Sequence, residues 1–307
     1  MAIKKRIGLL VADASAAFYS EVTRGAMTAA EENNAELLII PGKDVMEFDP
    51  YDPESEWLYQ YNTLYTYACA ECVDVAAVCL GSICAKGDSS KPQELLGMIG
   101  HVPVLTVSDR KDGLACIQYD NTSGILESIR YLVKNKNCTK IGMLTGPASV
   151  RDAIERLDAY KEGLDEQGII FEERYVAYGT FRRGCVDEAA RLIDTNPELE
   201  AIICANDEMA HAVYQVLNDR DIEIGRKMYV VGFDDAADSS SMMPPLATIR
   251  ADEADLGYET VRMALRIADG ENPESKYLKT KFILRESAGY RPYDAISSIE
   301  RQKKVSP

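Results

Sequence analysis

The 307 residues carry 34 Lys and Arg against 50 Asp and Glu, a formal charge of -16, and 46% of them are hydrophobic. So acidic a body repels phosphate backbones, so these residues alone are not expected to hold nucleic acid. No apolar run reaches the roughly 18 residues of a membrane span, and the run at 7–12, ended by Asp13, is too short for a secretory leader; the expectation is a cytoplasmic chain of about two domains.

Along the chain, short β-branched runs alternate with longer amphipathic ones. A strand is predicted at 7–11, then a helix at 18–34 with Phe18, Val22, Met27 and Ala30 on one stripe. A strand at 37–40 ends at Pro41-Gly42, and two Asp-Pro steps within 44–56 predict an exposed loop. A helix at 59–71 and strands at 75–80 and 104–107 come next. The helix at 122–136 carries Lys134 and Lys136 in its last turn, where cations suit the dipole. Beyond it come strand 141–144, helix 152–167, strand 175–178, helix 185–194, strand 201–204, helix 208–220, strand 229–233 and helix 253–268. Strands separated by helices of this length imply parallel sheets with right-handed crossovers, an α/β fold.

The eight cysteines fall mostly in apolar runs and read as reduced, buried thiols. Cys69-x-x-Cys72 with Cys79 and Cys84 loosely imitates a zinc spacing. The first pair lies in a helical pattern and Cys79 in a strand pattern, so no metal and no cofactor are expected. The segments just past the strands are more informative: Asp13-Ala14-Ser15, Ser108-Asp109-Arg110, Asn206-Asp207 and Asp234-Asp235. Ligands of open parallel sheets sit beyond the carboxyl ends of the strands. One such Asp is commonly a helix cap; four strand ends with polar groups exceed what capping requires. Phosphate-cradling glycine motifs are missing, and neither His101 nor His211 lies beside a nucleophile signature. An enzyme is not expected.

At these residues the chain resembles the effector-binding core of the lactose-repressor family, which shares its fold with periplasmic sugar-binding proteins. The resemblance runs from about Lys5 to Gly289 on Phe18-Tyr19-x-Glu-Val-x-Arg-Gly25, Tyr119-Asp120-Asn121-x-x-Gly124, Glu155-Arg156-x-x-Ala-Tyr160, Ala205-Asn206-Asp207-Glu208-Met209-Ala210, Val230-Val231-Gly232-Phe233-Asp234-Asp235 and Pro244-Pro245-Leu246-Ala247-Thr248-Ile249. It implies a two-lobed, type I periplasmic-binding-protein-like fold. Each lobe would be a Rossmann-like α/β sandwich, 1–119 with 251–277 and 120–250 with 278–290. A three-strand hinge near Tyr119, Arg250 and Leu278 would join them, and 291–307 would be a polar tail or linker.

The resemblance further implies a small polar ligand, such as a sugar, in the inter-lobe cleft, with hinge closure upon it. Positions matching the family's ligand contacts are Asp109, Arg110, Arg156, Asn206 and Asp234, with Phe18 and Phe181 as ring-stacking aromatics; Ser15 joins them as a strand-end polar group. Asp207 reads as a buried cap of the following helix. Ala17 and Ala251 depart from the family, standing where many members carry an aromatic and a polar contact. The headpiece that family repressors carry before the first strand is missing from these residues. DNA or a signalling output would therefore be reached only through another module. A ligand-sensing regulator domain, working as a homodimer, is the leading reading. A transport-linked solute-binding protein is the alternative.

Overall fold

In the computed structural model, residues 4–15, 17–43, 55–84 and 90–291 are described. The chain runs β1 (Arg6–Val11), α1 (Ala17–Glu32), β2 (Glu36–Pro41), α2 (Ser55–Asn62), β3 (Val75–Val78), α3 (Leu80–Ile83), α4 (Lys91–Ile99), β4 (Val104–Val107) and β5 (Ala115–Asp120). It continues through α5 (Ser123–Lys136), β6 (Ile141–Thr145), α6 (Arg151–Glu166), β7 (Val176–Tyr178), α7 (Val186–Thr195), β8 (Ala201–Cys204), α8 (Asp207–Asp219) and β9 (Tyr229–Asp234). Last come β10 (Ala247–Arg250), α9 (Glu253–Ala268), β11 (Lys276–Lys279) and β12 (Lys281–Ile283). Two units result: unit 1 is Met1–Tyr119 with Asp252–Leu278, and unit 2 is Asp120–Ala251 with Lys279–Pro307.

The first sheet has the order β11-β5-β4-β3-β1-β2, and the second β12-β10-β9-β8-β6-β7. Central strands carry no alternation because helices cover both faces: all four residues of β3, Val-Ala-Ala-Val, are buried, as are the four of β8. In each sheet the chain turns back at its first strand, placing switch points at β1/β3 and β6/β8. Crevices at the carboxyl ends of strands open at such points. Neighbouring strands run parallel from β5 through β2 in the first sheet and from β10 through β7 in the second, and β12 runs antiparallel to β10.

Several predicted elements differ from those observed. The helix expected at 59–71 stops at Asn62 and tightens into a 3-10 turn, Thr63–Tyr67. Its Thr63, Tyr65, Thr66 and Tyr67 are β-branched or aromatic and lose rotamer freedom in an α-helix. Cys69 and Cys72 consequently sit in a turn, and Cys69, Cys72 and Cys84 are half-buried, whereas the other five thiols are buried. The strand expected at 75–80 ends at Val78, and α4, β5, β10, β11 and β12 were not foreseen from periodicity. Of the loop expected at 44–56, residues 44–54 lie outside the described residues, as do tail residues 292–307.

Unit 1 is closed by α9 against α1, and two glycines set their separation. A Cβ on Gly25 would stand 1.8 Å from the Ala254 carbonyl oxygen, and one on Gly257 1.8 Å from that of Val22. Both obstructions are backbone, which cannot rotate aside. Gly257→Ala is therefore expected to destabilise the chain by about 3 kcal/mol, the upper end of overpacking costs. Urea unfolding followed by circular dichroism measures it, and an unchanged midpoint would refute this account of the helix crossing.

Candidate ligand-binding site

In unit 2 the candidate residues gather around one cation. Arg156 projects from α6 and is only 6% exposed. Its Nε donates to Asn121 Oδ1 at 2.9 Å and its Nη1 to the Ala205 carbonyl at 2.5 Å. The guanidinium lies 3.6 Å from the centroid of the Phe233 ring and 6.0 Å from that of Phe181. Asp234 Oδ1 stands 3.9 Å from Nη1, an ion pair too long for a hydrogen bond, with its side chain 38% exposed. Asn121 is itself oriented, because its Nδ2 donates to Asp152 at 3.0 Å and Glu155 at 2.9 Å. Asn121 and Phe233 lie in the family-like motifs, but the sequence assigned them no role; the structure gives them the task of holding Arg156.

Asn206 is the N-cap of α8, its Oδ1 accepting from the Met209 amide at 3.0 Å, and its Nδ2 donates to the Phe181 carbonyl at 3.1 Å. That second bond holds Phe181, whose φ of 60° is a left-handed conformation unusual for an aromatic residue. The ring lies so close to Gly146 that a Cβ there would come within 2.3 Å of it. Two residues on, Arg183 forks onto Glu208 at 2.8 and 3.1 Å and reaches Asp238 at 2.7 Å. The loop bearing Phe181 is thus fastened to α8, a role for Arg183 that strand-end reasoning did not reveal.

Asp207 is buried as expected, but it does not cap α8; that is done by Asn206. Its carboxylate instead accepts from the Thr248 hydroxyl at 2.6 Å, the Ser239 hydroxyl at 2.5 Å and the Ala236 amide at 2.9 Å. It thereby ties β10 to the turn after β9. Gly232 makes the room, since a Cβ there would overlap Asp207 Oδ1 at 1.9 Å. In that turn Asp234 and Asp235 both have positive φ, 107° and 61°. Asp235 is consumed by ion pairs to Arg250 and Arg285, each at 2.6 Å, whereas Asp234 stands beside Arg156.

In unit 1, Ser15 is exposed and closes the turn after β1, its amide and hydroxyl donating to Asp13 at 2.9 and 2.6 Å. Those bonds, with Lys43 at 3.2 Å, hold the Asp13 carboxyl down to about 2. Phe18, in the first turn of α1, is half-buried and packs edge-on against Tyr19 at 5.1 Å. Asp109 and Arg110 follow Ser108, another positive-φ residue at 66°. The Asp109 carbonyl accepts from the Cys116 thiol, and Arg110 donates to the Tyr277 hydroxyl at 2.9 Å. All four thus belong to segments that follow the carboxyl ends of β1 and β4. Among the described residues, no group of three or more His, Cys, Asp and Glu is arranged to hold a metal ion.

Residues 129–288, just over half of the chain, match the family described as periplasmic binding protein-like domain. The chain belongs to that family. Within it, the match is to effector-binding cores of the lactose-repressor type. The chain is 27% identical over 264 residues to the HTH-type transcriptional regulator GalR of Escherichia coli, spanning 86% of this chain and 72% of GalR. It is likewise 27% identical over 180 residues to the regulator CelR of Thermobifida fusca, spanning 58% of this chain and 53% of CelR. Among solved structures, a CelR–cellobiose complex superposes with a TM-score of 0.75 at 21% identity, covering 94% of this chain and 86% of that one. A lac repressor dimer bound to operator and the anti-inducer ONPF gives 0.74 at 19%, covering 94% and 82%. At such identities the structures speak to the fold, here the family's two-sheet, mostly parallel α/β architecture.

Burial raises the Asp207 carboxyl to about 6, against the ordinary 3.8. The folded state therefore binds this proton more tightly than the unfolded chain does, and the Asp207 contribution to stability falls as pH rises from about 4 to about 6. Measured against Asp207→Asn, which does not titrate, the wild type should lose up to about 3 kcal/mol across that window and stay level above it. Denaturant titrations at each pH check this; a difference that does not vary with pH would contradict it.

Proposed function

We propose that this chain is the ligand-sensing core of a regulator, taking a sugar or related small polar molecule and closing its hinge upon it. The observation that carries the reading is the group around Arg156. A charge this buried, paired at only 3.9 Å with a partly exposed carboxylate, sits beyond the strand ends of a doubly wound sheet with an aromatic ring alongside. Guanidinium and carboxylate give hydroxyls charge-assisted hydrogen bonds, and Phe181 gives an apolar ring face something to stack on. Ser15, Phe18, Asp109 and Arg110 supply the matching set from unit 1, with 1–119 plus 251–277 and 120–250 plus 278–290 acting as lobes. A ligand that engages both sets favours the closed state over the open one, and such differential affinity is what shifts a conformational equilibrium. The names of the relatives support the reading: they are transcriptional regulators, among them a ribose operon repressor of Escherichia coli, and one neighbour is a cellobiose complex.

On this reading the chain performs no catalysis. It acts in the cytoplasm and influences DNA or another output through a module other than these residues. It works as a homodimer, for which the exposed Met27, Tyr61 and Tyr67 offer surface, while Val22 and Tyr65 belong to the core. Light scattering on the purified chain tests the dimer, and a monomer mass at every concentration would exclude it.

A thermal-shift screen of sugars, polyols and nucleosides supplies the ligand for the decisive test. Arg156→Ala or Asp234→Ala leaves a charged partner unmatched against the bound ligand. Affinity should fall by about 2–5 kcal/mol, roughly 30- to several-thousand-fold, by calorimetry. Wild-type affinity in both variants would move the ligand site elsewhere.

A further inference from the structure

The sequence contains one motif that ligand sensing does not use, Cys69-Ala70-Glu71-Cys72. We infer that Cys69 and Cys72 form a reversible dithiol–disulfide pair, a redox-modification site on the surface of unit 1. The geometry rests first on the backbone. The amides of Cys72 and Val73 both donate to the Cys69 carbonyl at 2.9 Å, which folds the four residues into one tight turn. A turn so closed brings its first and fourth Cα atoms within about 7 Å, and a disulfide spans Cα separations of about 4.4–6.8 Å. Both side chains are half-exposed, in contrast to the five buried thiols. An oxidant can reach them.

The side chains support the pairing. The Cys69 side chain is the chief influence that raises the Cys72 thiol above its ordinary range. The turn is held in place from outside by Arg6, whose guanidinium donates to the carbonyls of Glu71 at 2.5 Å and Ala70 at 3.3 Å and pairs with Asp74 at 2.8 Å. The Arg6 cation offsets only a small part of the influences that raise the Cys72 thiol. Because Arg6 opens β1 and Asp74 immediately precedes β3, the turn is fixed to the sheet rather than swinging free. Holding the sulfurs together in this way makes the second step of exchange intramolecular.

The step is a thiol–disulfide exchange with a low-molecular-weight disulfide such as oxidised glutathione. One thiolate attacks a glutathione sulfur, forming a mixed disulfide and expelling one glutathione thiolate. The second cysteine sulfur, losing its proton to solvent, then displaces the other glutathione thiolate. The net change is oxidation of two protein thiols to one disulfide and reduction of one glutathione disulfide to two thiols. An exposed disulfide closing so small a ring is of the easily reduced kind, suited to reversible use. Closing it would lock the turn that Arg6 and Asp74 hold against the amino ends of β1 and β3.

The test equilibrates the whole chain in glutathione buffers of graded oxidised-to-reduced ratio, alkylates the remaining thiols after denaturation, and maps every cysteine by peptide mass spectrometry. The expected result is a Cys69–Cys72 disulfide that appears as one unit, without lasting glutathione adducts, and disappears on returning to the reduced buffer. Cys69→Ser and Cys72→Ser should each convert this reversible closure into a stable glutathione adduct on the remaining cysteine, with an unchanged circular dichroism spectrum. Independent glutathione adducts on Cys69 and Cys72 in the wild type would overturn the inference. So would both thiols alkylating freely at every ratio, or both being protected only when zinc is added.

Discussion

Arg156 carries a permanent charge into the interior of unit 2, and much of the local architecture follows from accommodating it. An ion taken out of water costs several kcal/mol unless hydrogen bonds and opposing charge replace its hydration. The end of β8 supplies the Ala205 carbonyl, the start of α5 is preceded by Asn121, and β9 presents the Phe233 ring. Each comes from a different part of the chain. The cation is therefore both a cost and a device for registering β8, β9, α5 and α6 against one another. With these neighbours fixed, Asp234 stands 3.9 Å from the guanidinium, near enough to balance its charge.

A second buried polar residue fixes the other side of the arrangement. Asp207 draws the Thr248 hydroxyl of β10 and the Ser239 and Ala236 donors of the following turn onto one carboxylate. Gly232 exists in β9 because no larger residue would leave room for it. The turn so held keeps Asp234 and Asp235 at positive φ, a conformation costing of order 1–3 kcal/mol at a residue other than glycine. Phe181 and Ser108 carry the same conformation. Strained backbone thus gathers at the strand ends where the candidate groups lie, consistent with pre-organisation of a binding surface.

The sheets were legible because buried parallel strands are short unbroken apolar runs while their covering helices are longer and amphipathic, and 201–204 and 253–268 were read to the residue. Elements of three or four residues, β11 and β12 among them, carry too few positions for a period. The 3-10 turn after α2 obeys a local steric preference that a hydrophobic stripe does not reveal. For the site, the residues lying just past the strands were visible as exceptions to apolar runs. Their assignments were harder. Asn206 and Asp207 are adjacent and both can cap a helix, so only the structure tells that Asn206 caps while Asp207 bridges three segments. Arg183 acts on other side chains rather than at a strand end, and Asn121 follows β5, a strand that periodicity does not reveal, which is why their sequence context conceals them. Asp235, next to Asp234 and equally acidic, is spent on Arg250 and Arg285.

The claim that binds these features together is that one ligand, held by groups from both units, changes the chain's conformation. Small-angle X-ray scattering on the purified chain measures this directly. With saturating ligand, the account predicts a smaller radius of gyration for the wild type and no ligand-induced change for Arg156→Ala at the same concentration. A ligand that binds the wild type tightly while leaving its scattering profile unaltered would contradict it.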